Sequence, residues 1–176
     1  MTIWTDDDQG LDRQLIVAGF VTKFLRESVL DETSGWLIEH GYRVAKVDAG
    51  LWRGESDMHD SLASALDFPD YYGGNLDALM DCLRDVSEQA YGWHPGETGI
   101  VLVIDGYEAF SRLEPEAAQA MVDIIATAAL QAALRGNRML CLLRCEDPWF
   151  EIPPVGAQDV WWNPREWMDK DRLSLR

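Results

Sequence analysis

Hydrophobic and polar positions follow two different periods along this chain. Residues 43–48 (RVAKVD) alternate, residues 100–105 (IVLVID) are almost continuously apolar, and residues 139–144 (MLCLLR) are nearly so. Alternation predicts a strand with one solvated face, whereas a short unbroken apolar run predicts a strand covered on both faces, as in a parallel sheet. Helical patterns lie between these runs. Over residues 56–66, Met58, Leu62, Ala65 and Leu66 recur on one face, with Ser56 as the expected cap. After Gly73 and Gly74 a second helix is expected, capped by Asn75, striped by Leu76, Leu79, Leu83 and Val86, and ending near Gly92. A third should open at Pro115, run through an alanine-rich stretch to Arg135 and stop at Gly136. Residues 32–40 look helical with Gly41 as their stop, so that this step joins the same sheet, while residues 14–22 and 159–162 read as further short strands. Successive strand–helix–strand units imply right-handed crossovers. The expected class is α/β, with a small parallel sheet packed by helices.

Composition narrows the function. The chain has 176 residues, 47% of them hydrophobic, with eight tryptophans, enough for one sizeable core. Against 31 Asp and Glu stand 15 Lys and Arg, a formal charge of −16. Nucleic acid and anionic membrane both require clustered cations, so neither is an expected direct partner; a basic protein is. Unbroken apolar runs such as residues 15–21 and 100–104 fall well short of the roughly 20 residues that span a bilayer, so no membrane association is expected. The opening MTIWTDDDQG carries three carboxylates where a secretory signal would carry basic residues, which leads to a cytoplasmic expectation. The run Asp6, Asp7, Asp8 lacks the glycine and distal glutamate of a calcium loop and reads as a solvated terminus.

Cys82, Cys141 and Cys145 form no CxxC pair and sit within apolar patterns, as buried free thiols do. His40, His59 and His94 share no ligand spacing, so neither a metal nor a cofactor is expected. In the last segment Trp149, Trp161, Trp162 and Trp167 stand among prolines and charges, and aromatic area of this kind is expected to staple a tail to the core rather than to line a binding groove.

The most informative stretch is residues 67–86, DFPDYYGGNLDALMDCLRDV. Pro69 and the Gly73–Gly74 pair call for a tight loop that projects Tyr71 and Tyr72, and a helix follows at once. With Leu76 at zero on a wheel of about 100° per residue, Leu79, Leu83 and Val86 fall at roughly 280–340°, whereas Asp77 and Asp81 fall at roughly 100° and 140°. Both carboxylates therefore share an outward face. At i and i+4 they repel by a few tenths of a kcal/mol, so helix stability does not account for their pairing. Two tyrosines beside them add the rigid, polar-tipped area typical of interfaces. The Gly-Gly-Asn turn has amides suited to an anion, but Asp70 and Asp77 flank it and no cation lies near it in sequence.

The block PDYYGGNLDALMDCL resembles the signature segment of the barstar family, intracellular inhibitors of barnase-type ribonucleases. The likeness extends more loosely over residues 41–147, leaving residues 1–40 as an N-terminal extension and 148–176 as a Trp-rich C-terminal tail. What the resemblance implies is a barstar-like three-layer fold whose signature helix and preceding loop plug the active site of a basic secreted microbial ribonuclease. The residue matching Asp81 would sit where RNA phosphate binds, Asp77 would meet neighbouring basic side chains, and Tyr71, Tyr72, Gly73, Asn75 and Met80 would complete the contact set. The chain departs from the family in carrying Met80 and Val86 at positions expected to be aromatic, and Gln131 and Arg135 at positions expected to be acidic. An alternative is a barstar-fold binding module or immunity protein for a basic partner that is not a ribonuclease. Enzyme activity is not expected, because two carboxylates on one exposed, convex helix face do not form the concave site that acid–base chemistry needs.

Overall fold

The computed structural model describes residues 10–167. β-Branched and leucine-rich runs form four strands: β1 (Val21–Phe24), β2 (Tyr42–Asp48), β3 (Gly99–Asp105) and β4 (Met139–Arg144). They make one sheet in the order β1-β4-β3-β2, and every neighbouring pair is parallel. Parallel strands require long crossovers. Those described are α2 (Glu27–Glu39) between β1 and β2; α3 (Glu55–Ala65) and α4 (Leu76–Ser87) between β2 and β3; and α5 (Tyr107–Leu113) and α6 (Pro115–Leu134) between β3 and β4. A short helix precedes β1, α1 (Leu11–Val17), and another lies in the tail, α7 (Pro164–Trp167).

The side-chain period of two along the central strands divides the core. Ile100, Leu102 and Ile104 of β3 face one side with Met139, Cys141 and Leu143 of β4, and there they meet Met58, Leu62, Leu79, Leu83, Phe110 and Ile125 from α3 to α6. Val101, Val103, Leu140 and Leu142 face the other side, against Leu15 of α1 and Val29, Leu30 and Leu37 of α2. The result is a three-layer helix–sheet–helix arrangement, as the sequence predicts, with both central strands buried on both faces. Each fully buried Leu or Ile contributes about 1.5–3 kcal/mol. Helix α6 has the length and apolarity to cross a bilayer, but half of its most apolar window is buried inside the fold, through residues such as Met121, Val122 and Ile125.

Several local expectations need correction. Residues 14–22 are not a strand: they divide into the end of α1 and the start of β1, separated by Gly19 and Phe20, both at positive φ. Residues 159–162 form no strand, since Trp162 makes a lone bridge to Lys23. Ser56 lies inside α3 rather than capping it. Gly54 is the N-cap and offers no side chain, and the Asp57 carboxylate accepts from the Arg53 amide at 2.9 Å instead. Helix α4 stops at Ser87, five residues before Gly92. Helix α5 is absent from the sequence reading; it opens at Gly106, whose left-handed φ of +65° suits a glycine.

Among the described residues, the stretches before 41 and after 147 are both built onto the sheet. β1 adds a strand beside β4, and the tail then covers the free side of β1: the Lys23 amide donates to Trp161 O at 2.9 Å and the Asn163 amide to Lys23 O at 2.8 Å. The buried Glu166 carboxylate accepts from the Leu25 and Arg26 amides at 2.7 and 2.6 Å, at the N-terminus of α2, where the chain supplies no local cap. Of the tail tryptophans, Trp149 and Trp161 are about half exposed, and the side chain of Trp167 lies outside the described residues.

Candidate functional site

Helix α4 forms as its sequence dictates. Asn75 sits in extended geometry and its Oδ1 accepts from the Ala78 amide at 2.9 Å, a side-chain cap that fixes the helix start. Leu79, Cys82, Leu83 and Val86 are buried against the sheet and α6, so one face is immobilised. The opposite face carries Asp77, Met80, Asp81 and Arg84, all exposed. Among the described residues Asp77 has no hydrogen-bond or ion-pair partner. Asp81 meets Arg84 at 3.2 Å one turn on, with both side chains more than half exposed, an arrangement worth under about 1 kcal/mol.

The preceding loop is anchored from below. The Tyr72 amide donates to Pro69 O at 2.9 Å, and Gly74 takes a left-handed φ of +60° that leads the chain into the helix. Tyr71 stands 82% exposed, whereas Tyr72 does not project. Its ring packs on Phe68 at 4.9 Å and on the edge of His59, and its hydroxyl lies 2.5 Å from His59 Nδ1. The expectation that both tyrosines point outward is therefore corrected: an aromatic ring keeps its apolar body out of water when a buried polar group can satisfy its tip. Burial and nearby acidic groups push the Tyr72 hydroxyl well above its usual acidity range, so it keeps its proton. Phe68 also packs on Tyr91, whose hydroxyl donates to Cys82 O at 3.2 Å and so ties the loop to α4.

Of the predicted set, the structure brings Tyr71, Gly73, Asn75, Asp77, Met80 and Asp81 to one surface, with Tyr72 as its inner anchor. Sequence reasoning missed His59, Phe68, Tyr91 and Arg84. The i,i+4 spacing of Glu55 and His59 was an available signal for the first, because it places an acid within reach of the imidazole. Val86 is wholly buried and belongs to the core, not to the outer face. Gln131 is half-buried, and Arg135, one residue beyond α6, pairs with Glu88 at 2.8 Å, neutralising the surface beside the end of α4.

Chemically, this face is a convex acidic surface with a tyrosine beside it. Larger concavities open elsewhere, one of about 580 Å³ beside β2 and α3 and one of about 750 Å³ against the tail. No group of three or more His, Cys, Asp or Glu among the described residues is placed to hold a metal. All three thiols are buried and unpaired.

Residues 42–144, more than half the chain, match the family model described as Barstar (barnase inhibitor). The chain belongs to the barstar family. It is also 47% identical over 51 residues to a Bacillus subtilis (strain 168) protein named "Putative ribonuclease inhibitor YrdF". That alignment takes in 29% of this chain and 46% of the relative, so the chain spans about half the relative's length. Within the barstar family match lie β2 to β4 and the helices between them; α1, β1, α2 and the tail stand outside it.

Proposed function

We propose that this protein inhibits a basic secreted microbial ribonuclease of the barnase type by filling its active site with α4 and the Tyr71-bearing loop, and that it does so from the cytoplasm of the producing cell. The observation that carries this reading is the pairing of Asp77, bare of any partner among the described residues, with Asp81 on a capped helix whose other face is locked in the core. An enzyme that binds polyanionic RNA needs a cationic cleft, and a rigid acidic surface complements it; the chain's overall charge of −16 accelerates the encounter. Family membership and the naming of the Bacillus subtilis relative support the same reading. Inhibition requires no chemistry of its own. Asp81 takes the place of a substrate phosphate, Asp77 meets basic side chains around the same cleft, Tyr71 seals the rim, and substrate is excluded. Preorganisation by the Asn75 cap and the partly buried, anchored Tyr72 limits the entropy lost on docking.

The test is RNA hydrolysis by a panel of basic microbial ribonucleases, barnase among them, titrated with this protein at low and high salt. Stoichiometric inhibition is expected, weakened by salt and abolished by the Asp77→Ala/Asp81→Ala double substitution. Inhibition that survives the double substitution would place the contact elsewhere. No inhibition of any enzyme in the panel would favour a binding module for a basic partner of another kind.

A further inference from the structure

We propose that His59 is the positioning residue of the loop, holding Tyr72 down so that Tyr71 is presented, and that the candidate face is therefore built by α3 as well as α4. The loop's part in capture rests on the inhibitor reading; the tether itself is a property of the free protein.

His59 lies on the buried side of α3, next to Met58 and Leu62, with its side chain only 3% exposed. A polar ring there is costly unless both nitrogens are satisfied, and an apolar residue would fill the space without that demand. Both nitrogens are satisfied, and by two different elements. Nε2 lies 3.2 Å from Glu55 Oε1, one turn earlier on α3, and Nδ1 lies 2.5 Å from the Tyr72 hydroxyl across the loop.

Proton accounting sets the direction of both bonds. A carboxylate only accepts, so Nε2 carries hydrogen and donates to Glu55. The Tyr72 hydroxyl retains its proton, because burial and then neighbouring Cys82, Asp60 and Glu55 all disfavour its anion. A hydroxyl both donates and accepts; with Nε2 already donating to Glu55, the Tyr72 hydroxyl is assigned as the donor to the Nδ1 lone pair. The chain Tyr72 → His59 → Glu55 is satisfied at every step in this one tautomer. With the Nδ1-H tautomer, Nε2 would present a lone pair to the Glu55 carboxylate and that contact would be lost.

The consequence reaches the surface through chain geometry. Tyr72 is held at its hydroxyl by His59, at its ring by Phe68 and at its amide by Pro69 O. With Tyr72 pinned inward, the neighbouring Tyr71 stands in solvent next to the start of α4. This ordering exists before any partner arrives.

The experiment uses the full chain in the free state. Nitrogen-15 NMR of His59 should show Nε2 protonated and Nδ1 as the acceptor; a ring with Nδ1 protonated overturns the proposal. Amide hydrogen exchange should show the Tyr72 N–H losing protection by about tenfold in Tyr72→Phe and His59→Phe, while the Leu83 and Leu102 amides are unchanged. His59→Asn, whose side-chain oxygen lies close to the place of Nδ1, should restore most of that protection. Unchanged protection at Tyr72 in Tyr72→Phe overturns the tether, as does equal loss at Tyr72, Leu83 and Leu102, which would make His59 a core residue and nothing more. If His59→Phe does not fold, Tyr72→Phe, which keeps the ring in place, carries the test. A tether confirmed in a protein that inhibits no ribonuclease would leave the positioning intact and remove the inhibitor reading; inhibition with an unconstrained loop would do the reverse.

Discussion

Two acidic regions of this molecule use the same side chains in opposite ways. At the C-terminal edge of the sheet, Asp105 receives Arg144 Nε at 2.5 Å, and Arg144 reaches Glu146 as well. Nearby, the buried Glu108 carboxylate accepts from the Glu146 and Asp147 amides at 2.9 and 2.8 Å and pairs with Arg112 at 2.7 Å. Those acids close the fold by satisfying backbone donors and by pairing nearby cations. On α4, Asp77 satisfies nothing among the described residues and Asp81 has only an exposed pairing with Arg84. In a chain of charge −16, surface carboxylates without partners add self-repulsion. The contrast shows that acidity here is not one property: part of it is structural, and part is displayed on a rigid support, where it is available to another molecule.

This contrast can be broken by experiment. Asp81→Ala should weaken the ribonuclease complex by about 2–5 kcal/mol, mainly through faster dissociation, since it leaves the partner's cations buried without a counter-charge. Its urea unfolding should move by less than about 0.5 kcal/mol. Glu108→Ala should do the opposite, lowering unfolding free energy by about 2–4 kcal/mol through two orphaned amides, while Arg112 keeps Asp147 and the stoichiometry of inhibition stays intact. If the two variants exchange phenotypes, the division between folding acids and displayed acids is wrong.

Tyr71→Ala should raise the dissociation rate by an amount equal to about 2 kcal/mol, with no change in stability, because the ring touches water in the free protein. An unaltered rate would remove Tyr71 from the contact set. The smallest effect per group belongs to the core beneath. Burial pushes the Cys145 thiol up to about 12 and that of Cys141 up as well, each above its ordinary value. Folding therefore favours the neutral thiol, and this contribution is complete below the unfolded thiol pKa of about 8.5. As pH rises through the window from there to about 12, the unfolded chain sheds protons first and stability falls, by about 1.4 kcal/mol per thiol at pH 9.5. Urea melts from pH 7 to 10 measure the slope; a flat profile would mean the thiols are not held neutral.

Much of the fold was legible because its signals are local or periodic. The strands at 100–105 and 139–144 declare themselves by unbroken apolar runs, α4 by its Asn75 cap and stripe, and α6 by Pro115 at its start. The outward pair Asp77 and Asp81 followed from helical arithmetic alone. The misreadings share a cause. Residues 15–21 are apolar throughout, and an apolar run does not reveal where a chain bends; Gly19 and Phe20 adopt their positive φ where the chain turns from α1 into β1, which pairs with β4. Tyr71 and Tyr72 are the same residue type side by side, and no local rule says which one turns inward.

The sequence by itself determined the α/β class, the strand runs at 43–48, 100–105 and 139–144, the Asn75 cap of α4 and the outward acidic face, because periodicity and capping act within a few residues of chain. Only the tertiary structure decided that β1 joins the sheet with α1 packed on its face, that the tail closes over β1 and caps α2 through Glu166, and that His59 draws Tyr72 inward while Tyr71 stays in water. Those outcomes depend on groups 13 to 141 residues apart that meet only once the sheet is formed, where a buried donor must find an acceptor from whichever element passes closest.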